Sequence, residues 1–192
     1  HKAMVQSCDV YFYTLGHRLG IDNLAKYAKK LGLGELTGIE LKGEKPGLVP
    51  STRWKQKNKK EPWFPGETIS ASIGQGYNLM TPLQSVSMIS TIASGGLLVR
   101  PYLVKKIESS DGKLIKEFFP EVKRNIGIDP DVLKHIKEGL RGVVYDARGT
   151  GRRARLKDII VSGKTGTAQV VGMKDSDEID PEAEIPYQFR DH

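Results

Sequence analysis

The sequence predicts a mixed α+β domain in which helices pack on an antiparallel sheet, and three observations predict it. Three stretches space their apolar residues helically between their own start and stop signals, and two extended runs are joined by a hairpin dipeptide. A glycine-punctuated apolar run near the end reads as a long strand. A chain of 192 residues, 38% of them hydrophobic, is long enough to bury one sizeable core between such elements.

In chain order, Asp22 precedes Leu24, Tyr27, Ala28 and Leu31 at helical spacing, and Gly32 takes the left-handed position that closes a helix. Thr81-Pro82-Leu83-Gln84 is a capping box with proline at the first helical position, followed by Val86, Ile89, Ile92 and Ala93 and stopped by Gly95-Gly96. Tyr102 to Glu108 and Leu114 to Phe119 form a hairpin through Asp111-Gly112. Asp129-Pro130 opens a third helix with Leu133, Ile136 and Leu140 on one face and Gly142 near its end. Ile159-Ile160-Val161 then leads into a long strand running through Lys164-Thr165-Gly166-Thr167 to Val171. Met173 to Pro186 is acidic and reads as a solvated loop.

Composition narrows the function classes. Thirty Lys and Arg against 23 Asp and Glu give +7, which favours an anionic setting without choosing among nucleic acid, phospholipid and acidic polymer. A single cysteine, Cys8, excludes an intrachain disulfide and a multi-cysteine zinc site, and its expected role is a small, partly buried filler. His1, His17, His135 and His192 show no metal-ligand spacing, and the acidic loop lacks the glycine-centred calcium pattern. Met88 to Val99 is too short and too interrupted by polar residues and glycine to cross a bilayer. The chain opens on His1 and closes on Asp191-His192, so residues 1–192 are expected to be one partial domain, incomplete at both ends.

Two patterns suggest nucleotide or nucleic-acid binding. Gly163-Lys164-Thr165 matches the end of a phosphate-binding loop, but Asp158 stands where the pattern needs its first glycine, and β-like residues follow where a helix is required. Arg53, Lys55, Lys57, Lys59 and Lys60 interleave with Trp54, Trp63 and Phe64, as a stacking patch for single strands would. A solvated loop with packed tryptophans is the better reading, and no nucleic-acid partner is expected. Gly151-Arg152-Arg153-Ala154-Arg155 could add positive potential near Lys164, and Gly74-Gln75-Gly76 reads as a tight turn.

Lys164-Thr165-Gly166 is also the third member of the S-x-x-K, S-D-N, K-T-G trio, and Ser7-Cys8-Asp9 matches the second as S-x-D, in the right order. Taken alone, Ser7 could be a helix cap and Lys164 a surface lysine beside a bulge. Trp54-Lys55-Gln56-Lys57, Pro62-Trp63, Ser72-Ile73-Gly74-Gln75-Gly76-Tyr77 and Thr81-Pro82-Leu83-Gln84 extend the match, and with them nearly the whole chain resembles class B penicillin-binding proteins. The Trp-Lys-Gln-Lys stretch and the acidic segment place the resemblance nearest their elongation-specific, penicillin-binding protein 2 type.

That resemblance implies a β-lactamase-like transpeptidase fold, with an edge strand carrying Lys164 to Thr167. It implies Ser7, Asp9 and Lys164 as catalytic candidates: Ser7 relays a proton to a leaving amine, Asp9 orients the relay or the substrate amide, and Lys164 helps to hold a carboxylate. Thr165, Gly166 and Thr167 become the substrate-binding strand, its hydroxyls gripping the carboxylate of a D-alanyl-D-alanine peptide or a β-lactam and the Thr167 amide serving as an oxyanion donor. Alternation would put Thr165 and Thr167 on one face and Lys164 on the other. Most members carry Asn where Asp9 stands, and an ionised carboxylate accepts hydrogen bonds without donating.

The one S-x-x-K string, Ser110-Asp111-Gly112-Lys113, follows Ser7 and sits in the predicted turn, so the nucleophilic serine is expected upstream of His1 and the fragment inactive alone. The resemblance further implies no metal or organic cofactor, an inner-membrane anchor with the domain in the periplasm, and a polymerase partner of the RodA type. A β-lactam sensor or binding module, and a serine β-lactamase, are the alternatives that the same motifs allow.

Overall fold

The computed structural model describes residues 1–168, so Gln169–Val171 of the predicted strand, the acidic stretch and His192 lie outside the described residues. Within them the chain runs through α1 (Lys2–Val5), α2 (Asp9–Leu19), α3 (Ile21–Lys30), α4 (Thr52–Lys59), α5 (Pro65–Ser72), α6 (Pro82–Ala93), β1 (Leu97–Arg100), β2 (Lys106–Glu108), β3 (Leu114–Glu117), β4 (Glu121–Asn125) and α7 (Pro130–Tyr145), followed by a 3-10 turn at Arg152–Ala154. The fold is α+β.

The predicted helices form, and the structure corrects their details. α3 starts at Ile21, and it is Ile21 and Ala25 that are buried while Tyr27 faces solvent. The Asp22 side chain reaches across to a different helix: its carboxylate accepts from the Thr52 amide at 3.0 Å and the Thr52 hydroxyl at 2.7 Å, fixing the entry to α4. The capping box of α6 closes as the residues dictate, with the Gln84 amide donating to the Thr81 hydroxyl at 3.2 Å and the Thr81 amide to Gln84 Oε1 at 2.8 Å. Gln84 is itself buried, and its side-chain Nε2 donates to the Glu35 and Pro46 carbonyls at 2.8 and 2.7 Å, tying the 35–46 loop to the helix. Val86 and Ile89, expected on the packed face of α6, are exposed, and Met88 packs instead against the cluster of Ala25, Leu33 and Val49.

The sheet is not the single one expected. β1 pairs antiparallel with β4, Leu97 opposite Asn125 and Arg100 opposite Glu121, with an irregularity between Leu98 and Val99, and only Leu98 of β1 is buried. The predicted hairpin forms as β2 and β3 through the turn at Gly112, a separate two-stranded ribbon exposed along both strands. Ser110 and Lys113 therefore sit in a turn, where the Ser109 hydroxyl donates to the Lys113 carbonyl at 3.1 Å.

Residues 159–168 form no strand. A strand is held by a ladder of backbone partners, and among the described residues no second strand pairs with this segment. It is docked on the last turns of α7 by other means. The Gly163 amide donates to the Leu140 carbonyl at 3.1 Å, while the Tyr145 hydroxyl donates to the Ile159 carbonyl at 3.2 Å and accepts from the Val161 amide at 3.3 Å.

α7 is also the seat of α1. Asp129 caps it, accepting from the Asp131 and Val132 amides at 2.8 and 3.2 Å, and the helix runs past Gly142 to Tyr145. Gly142, near the end of the helix as expected, is also a contact point. A Cβ there would stand 2.8 Å from Val5 Cγ2, so the absence of a side chain is what lets α1 lie on α7 with Val5, Val143 and Val144 buried.

Candidate active site

Ser7 stands where α1 ends. The Cys8 amide donates to the Ala3 carbonyl at 2.9 Å and the Ser7 amide to the Met4 carbonyl at 3.3 Å, the paired bonds of a Schellman closure. Ser7 occupies its left-handed position at φ 51°, ordinarily a glycine's place. Its hydroxyl caps no helix and makes its contacts with Thr150, Lys164 and Thr165. α2 then starts at Asp9, whose carboxylate lies in the first turn, favourably placed toward the helix dipole. Cys8, expected to be partly buried, is exposed.

From the other end of the chain the 164–167 segment arrives at the same point. The Lys164 ammonium lies 2.5 Å from the Ser7 hydroxyl, although 157 positions separate the two residues. Its remaining contacts are the Thr165 carbonyl at 3.0 Å and the Thr165 hydroxyl at 3.1 Å, so all three N–H groups have acceptors. Thr165 Oγ1 is 3.4 Å from Ser7 Oγ. Lys164 and Thr165 consequently face the same way, not to opposite faces as strand alternation would have it, because the segment is not extended in a sheet.

Lys164 is exposed as a residue, but its ammonium is drawn in among these oxygens. Burial pushes its pKa below the ordinary lysine value, and the negative charge of Asp9 works against that fall. Gly166 and Thr167 are exposed beside them, with the Thr167 carbonyl 3.4 Å from the Gln75 carboxamide. The assembly is an open groove. The nearby cavity of about 370 Å³, lined by His1, Lys2, Ala3, Gln6, Cys8 and Tyr11, includes neither Ser7 nor Lys164.

Thr150 belongs to this cluster and was not singled out from the sequence. Its hydroxyl is 3.2 Å from that of Ser7 and 3.1 Å from that of Thr165. The available signal was the glycine on each side of it, just beyond a predicted helix. The arginines after it do not all serve the groove: Arg155 donates to the Val144 and Tyr145 carbonyls at 3.2 and 2.8 Å, satisfying the C-terminus of α7.

The basic run is likewise reassigned. Ser51 caps α4 by accepting from the Trp54 amide at 3.1 Å, so Thr52–Lys59 is a helix and not a loop. Lys55, only 1% exposed, pairs with Glu67 and lies 4.4 Å from the Phe64 ring, behind a wall in which Trp54 and Trp63 pack on Tyr77. Tyr77 follows the Gly74-Gln75-Gly76 turn, so this packing holds Gln75 at the Thr167 side of the groove.

No group of three His, Cys, Asp or Glu side chains that could hold a metal ion occurs among the described residues. None of their helices is long and apolar enough to cross a membrane.

An α+β fold in which a lysine and a serine from the two ends of the described chain meet defines a candidate active site. Residues 1–182 match the family described as the penicillin binding protein transpeptidase domain, and the chain belongs to that family. It is 36% identical over 200 residues to the peptidoglycan D,D-transpeptidase MrdA of Haemophilus influenzae, an alignment that takes in 100% of this chain and 29% of the relative. Among solved structures it is similar to PBP2 of Pseudomonas aeruginosa in complex with WCK 5153, with a TM-score of 0.75 and 38% identity over 88% of this chain and 38% of the other. PBP2 of Helicobacter pylori, solved in complex with MreC, gives a TM-score of 0.74 and 34% identity over 88% of this chain and 30% of the other. The chain thus spans well under half the length of each.

Proposed function

We propose that the protein of which this chain is a part is a peptidoglycan D,D-transpeptidase of the elongation type, acting through a serine acyl-enzyme and trapped by β-lactams. The observation that carries this reading is the 2.5 Å approach of the Lys164 ammonium to the Ser7 hydroxyl, which unites the two family triplets at one groove.

In this mechanism a serine in an S-x-x-K motif elsewhere in the protein attacks the carbonyl carbon of the penultimate D-alanine. The new C–O bond forms as the peptide C–N bond breaks, and terminal D-alanine leaves with the proton that the serine gave up. Ser7 passes that proton on, and the adjacent ammonium makes its hydroxyl a better acid. Lys164, Thr165 and Thr167 bind the terminal carboxylate, Gly166 lets the peptide backbone come close, and the Thr167 amide faces the developing oxyanion. The amine of a second stem peptide then attacks the ester carbon, the new amide bond forms as the C–O bond breaks, and the cross-link is made. Asp9 sustains the charge on Lys164 and orients the relay. The chain by itself, without that nucleophile, does not acylate. The resemblance supports an inner-membrane anchor, a periplasmic domain and a RodA-type polymerase partner.

In the full-length protein, Lys164→Ala removes the cationic anchor and abolishes labelling by a fluorescent penicillin while the fold is retained by circular dichroism. Wild-type labelling of that variant would refute the reading, and rapid hydrolysis of the penicillin by the wild type would point to a β-lactamase instead.

A further inference from the structure

The Thr150 hydroxyl sits in the groove with no role in the mechanism above. Its surroundings are built to hold it there. The loop after α7 folds back so that the Gly149 amide donates to the Asp146 carbonyl at 3.0 Å and the Gly151 amide to the Val143 carbonyl at 2.9 Å. A Cβ at position 149 would stand 2.3 Å from the Val143 carbonyl oxygen, and one at position 151 would stand 3.0 Å from Val143 Cγ1. Two glycines pressed on the helix end thus leave Thr150 between them, and its amide donates to the Val5 carbonyl at 3.3 Å, two residues before Ser7.

Counting donors shows what the hydroxyl does. The Lys164 ammonium spends one N–H on Ser7 Oγ and the other two on Thr165. In the relay the hydrogen of Ser7 goes to the leaving amine, so Ser7 Oγ meets its neighbours as an acceptor. Of its two hydroxyl neighbours Thr150 is the nearer, at 3.2 Å against 3.4 Å for Thr165, and can donate to it. Thr150 Oγ1 can in turn accept from the Thr165 hydroxyl at 3.1 Å.

We propose that Thr150 is a positioning residue of the relay: by donating to Ser7 Oγ it fixes that oxygen beside Lys164 and leaves the Ser7 hydrogen for the leaving amine. It acts through Ser7 and touches no substrate. This inference rests on the transpeptidase reading of the same groove.

The test uses the full-length protein with Thr150→Ser, Thr150→Ala and Thr150→Val, the first two differing by one oxygen. Saturation kinetics of acylation by a fluorescent penicillin separate the first-order acylation constant from the constant for initial binding. A lost hydrogen bond to a reacting group costs about tenfold or more, so Thr150→Ala and Thr150→Val lower the acylation constant by at least that factor with initial binding unchanged. Thr150→Ser stays within about threefold of wild type, since the oxygen is kept. Equal loss in Thr150→Ser and Thr150→Ala, or wild-type kinetics in Thr150→Ala, overturns the inference while leaving the transpeptidase reading intact. Should Thr150→Val not fold, the Ser and Ala pair decides alone. A wild-type protein that takes no label at all overturns the reading beneath it, and this inference with it.

Discussion

The Lys164 ammonium rests 2.5 Å from Ser7 Oγ while Asp9, two residues on at the start of α2, bears on it through its charge. Burial lowers the lysine pKa and Asp9 opposes the fall, which fixes the sign of a pH experiment. If the cation anchors the substrate carboxylate, acylation of the full-length protein declines as pH rises through a pKa below the ordinary lysine range. Asp9→Asn removes the opposing charge and moves that alkaline limb to still lower pH. Linkage has a matching sign: between the folded and the unfolded lysine values the unfolded chain binds more protons, so stability rises with pH across that window. Acylation rates against pH for the two proteins check this, and an alkaline limb that moves upward in Asp9→Asn contradicts it.

Ser7 occupies a left-handed position at φ 51°, a conformation that costs a residue with a Cβ roughly 1–2 kcal/mol. Ser7→Gly relieves that cost, offset by the greater freedom of glycine in the unfolded chain, and leaves stability equal to wild type or up to about 1 kcal/mol higher. Acylation falls by about 10²–10⁴-fold in the same variant, because the relay hydroxyl is gone. Ser7→Ala shows the kinetic loss without the gain in stability. Thermal unfolding and penicillin labelling of both variants make the comparison, and a lower Tm for Ser7→Gly would argue against the strained position.

Local chemistry was legible and distant pairing was not. The Thr81 to Gln84 box, the Asp129 cap and the Asp111-Gly112 turn are written within four residues each, and all three form as the residues dictate. β1 and β4 escaped notice because Leu97 finds its partner at Asn125, across the whole β2–β3 ribbon. Ile159 to Ala168 has the composition of a strand, yet the Tyr145 hydroxyl and the Leu140 carbonyl take up its backbone groups instead. Lys55 looked like one charge in a solvated run because Glu67, which lets it be buried, lies on a helix that the periodicity did not announce. At the groove, motif resemblance brought Ser7 and Lys164 forward, whereas Thr150 carries no motif and only the folding back of the loop after α7 brings it to them.

Gly142 bears the weight of α1, and through it the placement of Ser7. In Gly142→Ala the new methyl meets Val5 Cγ2 and His1 Cε1 at 2.8 Å and Asp146 Oδ2 at 2.9 Å, so α1 must shift away from α7. Overpacking of this kind costs about 1–3 kcal/mol, a fall in Tm of roughly 2–10 °C for a domain of this size. Acylation slows as well, since Ser7 closes α1. Val132→Ala, at an exposed position on the same helix, changes stability by about 0.5 kcal/mol or less and serves as the control. A Gly142→Ala protein with wild-type Tm and acylation would show that the two helices are not rigidly docked.

Lys55, buried, and Glu67, half-buried, form an ion pair that supports the far side of the groove. Burial would lower the Lys55 pKa, but the hydrogen bond and charge of Glu67, aided by Tyr77 and Glu61, raise it overall. A lysine whose pKa is raised on folding stabilises the fold at every pH below its unfolded value, and that contribution disappears as pH climbs through the folded value. Lys55→Met leaves the Glu67 carboxylate without its cation and lowers Tm. Adding Glu67→Gln removes the stranded charge while keeping an acceptor for the Phe64 amide, which Glu67 Oε2 receives at 2.8 Å, so the double variant melts above Lys55→Met and below wild type. The gap between wild type and the double variant narrows in strongly alkaline buffer, where Lys55 loses its proton. Because Tyr77 packs against this pair and follows Gln75, the single variant also loosens the Gln75 contact with the Thr167 carbonyl and weakens initial penicillin binding more than the double variant does. Thermal melts at neutral and alkaline pH, with binding measured alongside, check the order, and a double variant less stable than Lys55→Met would show that the two side chains do not act as a pair.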